Sequence, residues 1–279
     1  VENGIVDGWD DPRLPTIHAL RRRGYTPTSI MTFVRNAGVS KSDNLVDIRM
    51  LEACIRDELN ETAPRRVCVV NPVKVVIDNL PKDFEENFEL PNHPQHPEMG
   101  TRSVCFTKEL YIDAEDFSEV PPPKFFRMKP EGEVRLMGAY IVRCNEVKHN
   151  EDGSVKVIHC TADLESGNGN PADGRKIKGT IHWVSAKYAE DVTVKLYDKL
   201  FTLENMADAE TDAEGHALYN NYLNPDSLIT AEHAKAEPSL KNAKVGDRFQ
   251  FVRTGYFCKD SKYENTFNRI VSLKDSFKA

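Results

Sequence analysis

Gly8-Trp9-Asp10-Asp11-Pro12-Arg13-Leu14-Pro15-Thr16 is the stretch from which the architecture is read. Its two prolines fix φ, and each drives the residue before it out of the helical region. The result is a stiff elbow with room for a helix directly after it. Thr16 can cap the start of that helix, and Gly24 stands where its C-terminus would end. Asp10-Asp11 fits a turn and cap better than a catalytic pair. Arg21-Arg22-Arg23 falls in the last turn, where positive charge complements the helix dipole and can also grip phosphate. A run of this kind is also the ordinary composition of a solvated face.

Further helical signals follow. Thr26-Pro27 can open a second helix with proline at its first position, Ile30, Phe33 and Val34 recur on one face, and Gly38 can close it. A third helix carries Leu45, Ile48, Leu51, Ile55 and Leu59 as one apolar stripe that reads as core, and Pro64 ends it. Residues 1–64 are therefore expected to form a helical module.

From Val67 the hydrophobic period changes. Val67 to Ile77 is rich in β-branched residues, with Pro72 marking an edge or bulge. Proline clusters occupy Pro91 to Pro97 and Pro121-Pro122-Pro123. Glu133 to Val147 and Val155 to Thr161 flank the hairpin signal Glu151-Asp152-Gly153. Ile177 to Val184, Val192 to Leu200, Phe249 to Phe257 and Asn268 to Leu273 are further strands, whereas 204–240 reads as a polar insert or short helix. Many short strands with turn punctuation favour barrels over a parallel sheet. The fold class expected is mainly β with an N-terminal α-helical module, with 65–279 forming the β part.

Composition narrows the function classes. A chain of 279 residues can bury two or three modest cores. Mean hydropathy is −0.53, and no apolar run reaches membrane-spanning length. The net charge of −7 argues against nonspecific coating of nucleic acid but not against a local basic face. The six cysteines are scattered, which reads as reduced, cytosolic and mostly buried thiols. The first residue is Val, which leaves a fragment, a processed product and a trimmed tag open.

The residues offer little catalytic chemistry. No His-x-Gly-His occurs, and Val39-Ser40-Lys41-Ser42 matches only the tail of a Lys-Met-Ser-Lys-Ser-type loop, because Gly38 stands where the leading lysine belongs. Ser40, Lys41, Ser42 and the neighbouring Asn44 read either as a helix entry touching RNA backbone or as a plain solvated cap. Gly167-Asn168-Gly169-Asn170-Pro171 reads as a turn, and no metal-ligand spacing is present. What remains is recognition, for which arginine forks on rigid strands suit unstacked bases. The strand-borne candidates are Arg65, Arg127, Arg135, Gln250 and Arg253, each of which alone would read as a surface polar group.

The segment Gly8 to Tyr25 resembles the one that follows the catalytic signature loop in glutaminyl-tRNA synthetases, class I enzymes of the glutamate/glutamine branch. The resemblance continues through Cys54-Ile55-Arg56-Asp57-Glu58-Leu59-Asn60-Glu61-Thr62-Ala63-Pro64-Arg65, Leu90-Pro91-Asn92-His93-Pro94 and Pro97-Glu98-Met99-Gly100. It extends through Asp173-Gly174-Arg175-Lys176-Ile177-Lys178-Gly179-Thr180-Ile181-His182-Trp183-Val184, then Phe249-Gln250-Phe251 and Gly255-Tyr256-Phe257. Glutamyl enzymes share the elbow; the Gly-Arg-Lys-x-Lys-Gly-x-Ile-His-Trp string favours the glutaminyl branch.

The resemblance implies two β-barrels with exchanged strands that bind an anticodon. It implies that Arg65 meets the middle anticodon base with help from Gln250, that Arg127 and Arg253 lie at the third base, and that Arg135 lies at the first. Phe126 stands where the family often has a lysine, and an aromatic ring there could stack on a base. Arg21, Arg22, Arg23, Ser40, Lys41, Ser42 and Asn44 are the expected contacts to the tRNA inner corner or backbone. The implied partner is the tRNA for glutamine, with no DNA or membrane partner, a monomeric state and a cytoplasmic location. The intact enzyme would use ATP and magnesium to join glutamine to that tRNA; this stretch would need no cofactor and be inactive alone. The competing readings are a free-standing tRNA-binding or scaffolding module and a glutamyl-tRNA synthetase fragment.

Overall fold

A computed structural model describes residues 1–38, 41 and 45–274. Three helices lead: α1 (Ile17–Arg23), α2 (Pro27–Ala37) and α3 (Ile48–Thr62). The caps are those expected. Thr16 accepts the Ala19 N–H, Thr26 accepts the Ser29 N–H ahead of Pro27, and Gly24 and Gly38 follow the C-termini of α1 and α2. Gly24 has φ 115°, and a Cβ there would stand 2.6 Å from Cys258 Cβ, so glycine is what lets α1 lie this close to the β part. In the elbow, Asp11 is buried and accepts from the backbone N–H groups of Asp7 and Arg13 and from the Arg13 guanidinium, as a turn-and-cap residue should.

Leu51, Ile55 and Leu59 form the buried stripe of α3, against Tyr25, Tyr256, Ile270 and Val271. The stripe begins later than the periodicity indicates. Leu45 precedes α3 and is 73% exposed, and Ile48 in its first turn and Val34 on α2 are also exposed.

Sixteen strands follow among the described residues. The first eight are β1 (Arg65–Arg66), β2 (Cys68–Val69), β3 (Pro72–Ile77), β4 (Glu85–Pro91), β5 (Thr101–Thr107), β6 (Glu109–Asp113), β7 (Glu133–Leu136) and β8 (Ile141–His149). The others are β9 (Val155–Asp163), β10 (Thr180–Ile181), β11 (Val184–Ser185), β12 (Glu190–Tyr197), β13 (Leu228–Ala236), β14 (Arg248–Phe251), β15 (Gly255–Lys259) and β16 (Thr266–Ser272).

Two seven-stranded sheets result, ordered β10-β7-β8-β9-β3-β6-β11 and β1-β14-β15-β16-β12-β13-β2. In each, the two edge strands are nearly adjacent in sequence. Only Val67 separates β1 from β2, and only His182-Trp183 separates β10 from β11. One short segment therefore lies along both edges of a sheet and curls it into a barrel. The chain then leaves that barrel for the other: β2 leads to β3, and β11 leads to β12. This is strand exchange between barrels, and the two crossing segments meet where Val67 and Val69 pack on Val184.

Each barrel has its own core. The first is filled by residues such as Phe106, Leu110, Met128, Leu136 and Trp183, with the Trp183 indole N–H donating to Met137 O at 3.0 Å. The second holds Phe251 stacked on Phe257 at 4.3 Å between ring centres, an arrangement that adds about 0.5–1.5 kcal/mol beyond burial.

The structure corrects the expectations for 204–240 and for Ile177 to Val184, and it locates the first proline cluster. The polar insert at 204–240 contains β13, a nine-residue strand inside the second barrel. Ile177 to Val184 is not one strand, because His182-Trp183 interrupts it between two edges. The prolines from Pro91 to Pro97 lie at and beyond the end of β4, at the tip of the β4–β5 hairpin. Among the described residues, no helix is long and apolar enough to cross a membrane.

Candidate nucleic-acid interface

Pro121-Pro122-Pro123 leads into Lys124-Phe125-Phe126-Arg127 between β6 and β7. This loop is pinched at its base, where Ser118 N–H donates to Met128 O at 3.1 Å and Met128 N–H to Asp116 O at 2.9 Å. Its far side is pressed against the chain approaching β10: a Cβ on Gly179 would stand 1.8 Å from the Phe126 carbonyl oxygen. Between the two runs lies an open groove of about 940 Å³, with an overlapping hollow of about 500 Å³ that reaches Thr180 and Arg253.

The groove is basic although the chain is acidic. Seven cationic and three acidic side chains line its larger part. The acids are already engaged: Glu131 pairs with Arg143 at 2.6 Å, and Glu133 and Asp173 pair with Arg175 at 2.9 and 2.8 Å. Among the described residues, Lys124, Lys129, Lys176 and Lys178 have no carboxylate partner, so their charge is available to an anion. Phe126 is 51% exposed in this wall, with the Lys178 ammonium 5.5 Å from its ring centre.

Arg127 and Arg253 come from different barrels and converge on Asp116. Arg253 binds its carboxylate through both terminal nitrogens, at 2.5 and 2.7 Å. Arg127 Nε lies 3.4 Å from the same carboxylate, and its Nη1 donates to Glu115 O at 2.8 Å. Arg253 sits in the β14–β15 turn at φ 66°, a left-handed conformation that is uncommon for a residue with a Cβ.

A second cluster forms where α3 meets the second barrel. Arg65 on β1 pairs in register with Gln250 on β14. The Gln250 amide donates to Tyr256 Oη at 2.9 Å. Arg65 is 8% exposed and turns its guanidinium onto the end of α3, donating to Ala63 O at 2.6 Å and Asn60 O at 2.8 Å. Burial lowers its pKa, against the favourable pull of Tyr256 and Glu61. His93 also reaches Asn60 O, at 2.8 Å; its Nδ1 accepts from Gln95 N–H, so the proton it donates is on Nε2. Among the described residues, Arg65 Nε is a buried donor without an acceptor. Arg135 Nη1 is another, on the strand whose register places Arg135 beside Thr180 of the groove wall.

The three arginines of α1 separate. Arg22 is 3% exposed at its side chain and pairs with Asp260 at 3.1 Å, with Asp7 and Asp10 each at 3.4 Å. Burial alone would lower its pKa, but the hydrogen bond and charge of Asp260, with Tyr197 and Asp10, together raise it. Arg23 donates to the carbonyls of Ile270, at 3.1 Å, and of Tyr197, at 3.4 Å. The three arginines thus differ in setting: Arg22 is folded into the protein as a strut, Arg23 is half-buried and tied to the barrel backbone, and Arg21 is exposed. Lys41 is exposed too, and Ser40, Ser42 and Asn44 lie outside the described residues. Asp116 and His182 at the junction, and Lys178 over Phe126, carried no signal of their own role, although Lys178 and His182 both belong to the Asp173 to Val184 string singled out in the sequence.

Comparison with known proteins gives three matches to models of one family. Residues 63–163 and 180–260 match two models described as "tRNA synthetases class I (E and Q), anti-codon binding domain", and residues 1–61 match the "catalytic domain" of the same class. The helical module thus falls within the catalytic-domain match. A glutamine–tRNA ligase from Clostridium perfringens is 49% identical over 282 residues, covering 100% of this chain and 50% of the relative. One from Tolumonas auensis is 46% identical over 281 residues, covering 99% and 50%. One from Cronobacter sakazakii is 47% identical over 276 residues, covering 98% and 48%. The chain spans about half the length of the curated relatives it matches.

Proposed function

Since the chain belongs to the class I tRNA synthetases of the E and Q group and carries their anticodon-binding domains, we propose that it is the tRNA-reading part of a glutamine–tRNA ligase. Its partner is the tRNA for glutamine. The observation that carries this reading is the meeting of Arg127 and Arg253 at a groove walled by the exposed Phe126 and unpaired lysines. Forked donors can hydrogen-bond a base edge, an aromatic face can take a splayed base, and free ammonium groups can follow the phosphates.

The division of labour follows burial. Arg127 and Arg253, beside the groove, read one unstacked base, expected to be the third of the anticodon. Arg65 with Gln250 reads the middle base, and Arg135 the first. Arg65 Nε and Arg135 Nη1 are donors still lacking acceptors, and a base edge would supply them. Both atoms are covered, so reading requires neighbouring side chains to move aside as the RNA docks. Arg21 and Lys41, exposed near the helical module, are the remaining inner-corner phosphate contacts. Arg22 and Arg23 are not among them.

The intact enzyme joins glutamine to its tRNA with ATP and magnesium. Among the described residues, no group of three or more His, Cys, Asp and Glu side chains could hold a metal, and no catalytic step is assigned to them. A monomeric, cytoplasmic protein that binds neither DNA nor membrane accords with this role.

Binding to glutamine tRNA and to the same tRNA with each anticodon base replaced tests the reading. Preference for the cognate anticodon is expected. Equal binding to all four RNAs would reject it.

A further inference from the structure

We propose that Asp116 is a positioning residue that joins Arg127 and Arg253 into one fork for a single unstacked base. The proposal rests on the anticodon reading of the groove and adds to it a residue that does not itself touch RNA.

Asp116 is 2% exposed, and a carboxylate that is buried must be paired to stay charged. Its partners come from both barrels. Arg253 approaches from the β14–β15 turn and occupies both carboxylate oxygens, at 2.5 and 2.7 Å. Arg127 approaches along the proline loop, with Nε at 3.4 Å. His182, in the segment that closes the first barrel, completes the seat. Arginine can only donate, so the 3.3 Å contact from Arg253 Nη1 to His182 Nδ1 requires that nitrogen to be bare. His182 Nε2 then faces Asp113 at 3.3 Å.

Three consequences follow. Two guanidinium groups this close would repel each other and turn outward; the shared carboxylate offsets that repulsion and fixes their separation. The inner edge of Arg253 is used up, leaving its outer edge to the groove it lines. Finally, the β14–β15 turn, closed by the Thr254 N–H to Phe251 O bond at 2.9 Å, sets Arg253 at its positive-φ position, and the two-point contact fixes the side chain that this backbone presents. Asp116 therefore acts on a base through the arginines. A surface ion pair that merely joined the barrels would not need the shared carboxylate.

The test uses the full chain with Asp116→Asn, Asp116→Glu and Arg127→Ala/Arg253→Ala, against cognate tRNA and tRNAs altered at the third or the middle anticodon base. Asp116→Asn should lose about 5- to 150-fold of third-base discrimination, the amount one good base contact supplies. Middle-base discrimination should persist, which also reports that the variant is folded. Asp116→Glu, which keeps the charge but displaces it, should lose part of the third-base preference and keep its melting temperature. In the double-alanine background, Asp116→Asn should add no further loss of discrimination. If Asp116→Asn weakens every tRNA equally, or still adds a loss without the arginines, the proposal is overturned and the anticodon reading stands. A wild-type chain indifferent to the third base overturns both.

Discussion

Glu237 and Val67 hold each other twice: the Val67 N–H donates to Glu237 Oε2 at 2.8 Å, and the Glu237 N–H donates to Val67 O at 3.0 Å. Val67 is the one residue between β1 and β2, where the chain passes from one edge of the second barrel to the other, so its peptide has no ladder partner. Glu237 follows β13, is 1% exposed, and supplies that partner. Arg102 of β5 neutralises its carboxylate at 2.6 and 3.0 Å, with Arg66 3.5 Å away.

Glu237→Ala should therefore leave the buried Val67 N–H without an acceptor and take from Arg102 its carboxylate, leaving that side chain only its bond to Pro91 O. Breaking such a pair from one side costs about 3–5 kcal/mol. Glu237→Gln, which keeps an acceptor for Val67, should cost less. Urea unfolding of the three proteins checks the order, and equal midpoints would show that barrel closure does not depend on this carboxylate.

Acid should unfold the protein through the elbow network. Partial burial would raise the Asp7 pKa, but hydrogen bonds from Lys262 and Tyr263, together with the charges of Lys262 and Arg22, lower it from 3.8 to about 2. Burial likewise works against Asp260 and Asp11, but arginine contacts and backbone N–H groups lower both. A folded pKa below the unfolded one gives stability that is complete above about pH 4 and lost as pH falls towards 2. Asp260→Asn should be less stable than wild type at pH 7 and lose less between pH 4 and 2. Melting temperatures across that range report it, and parallel curves would refute it.

Gly179→Ala should disturb the groove more than the barrels. The added methyl would meet the Phe126 carbonyl at 1.8 Å, so the proline loop must shift. Overpacking of this kind costs about 1–3 kcal/mol. The expected outcome is a modest drop in melting temperature together with a large loss of tRNA binding. Unchanged binding would place the RNA away from the proline loop.

Arg21→Ala and Lys41→Ala should each reduce the salt dependence of tRNA binding, by up to about 0.7–0.9 in the log–log slope per phosphate contact. Preference among anticodons should not change. Arg22→Ala should instead destabilise the fold, because Asp260 loses its buried partner. A salt titration alongside thermal melts separates the three. Loss of slope in a fully stable Arg22→Ala would return that residue to the RNA-facing set.

The helices were legible because their signals are local: Thr16, Thr26, Gly24 and Gly38 each act within a turn of their own position. The β13 strand was not legible. Its sequence, Leu228 to Ala236, buries only Ala234 and Ala236, and small residues leave almost no alternation to detect. Of the site, the arginine candidates rest on residue type and resemblance, but their surroundings were not legible, and two of those expected on strands, Arg127 and Arg253, lie in a loop and a turn. Asp116 and Arg253 are 137 positions apart, and no pattern along the chain connects them. Arg22 shows the opposite difficulty. Its neighbours Arg21 and Arg23 have the same chemistry, and only the fold decides which of the three points inward.

Closure of each barrel by a segment lying on both its edges also sets a timetable for synthesis. Arg65 and Arg66 pair with Gln250 and Phe251, so the second barrel cannot close until β14 exists. The segment that closes the first barrel ends at Ser185, roughly 60 residues earlier. At the usual rate of about 5–20 residues per second, several seconds separate the two events. Throughout that interval Val67, Cys68 and Val69 wait beside a completed first barrel with their own sheet unmade. The nascent chain thus carries an apolar, hydrogen-bond-hungry edge for a defined period, and that is when a chaperone or a neighbouring nascent chain would find it.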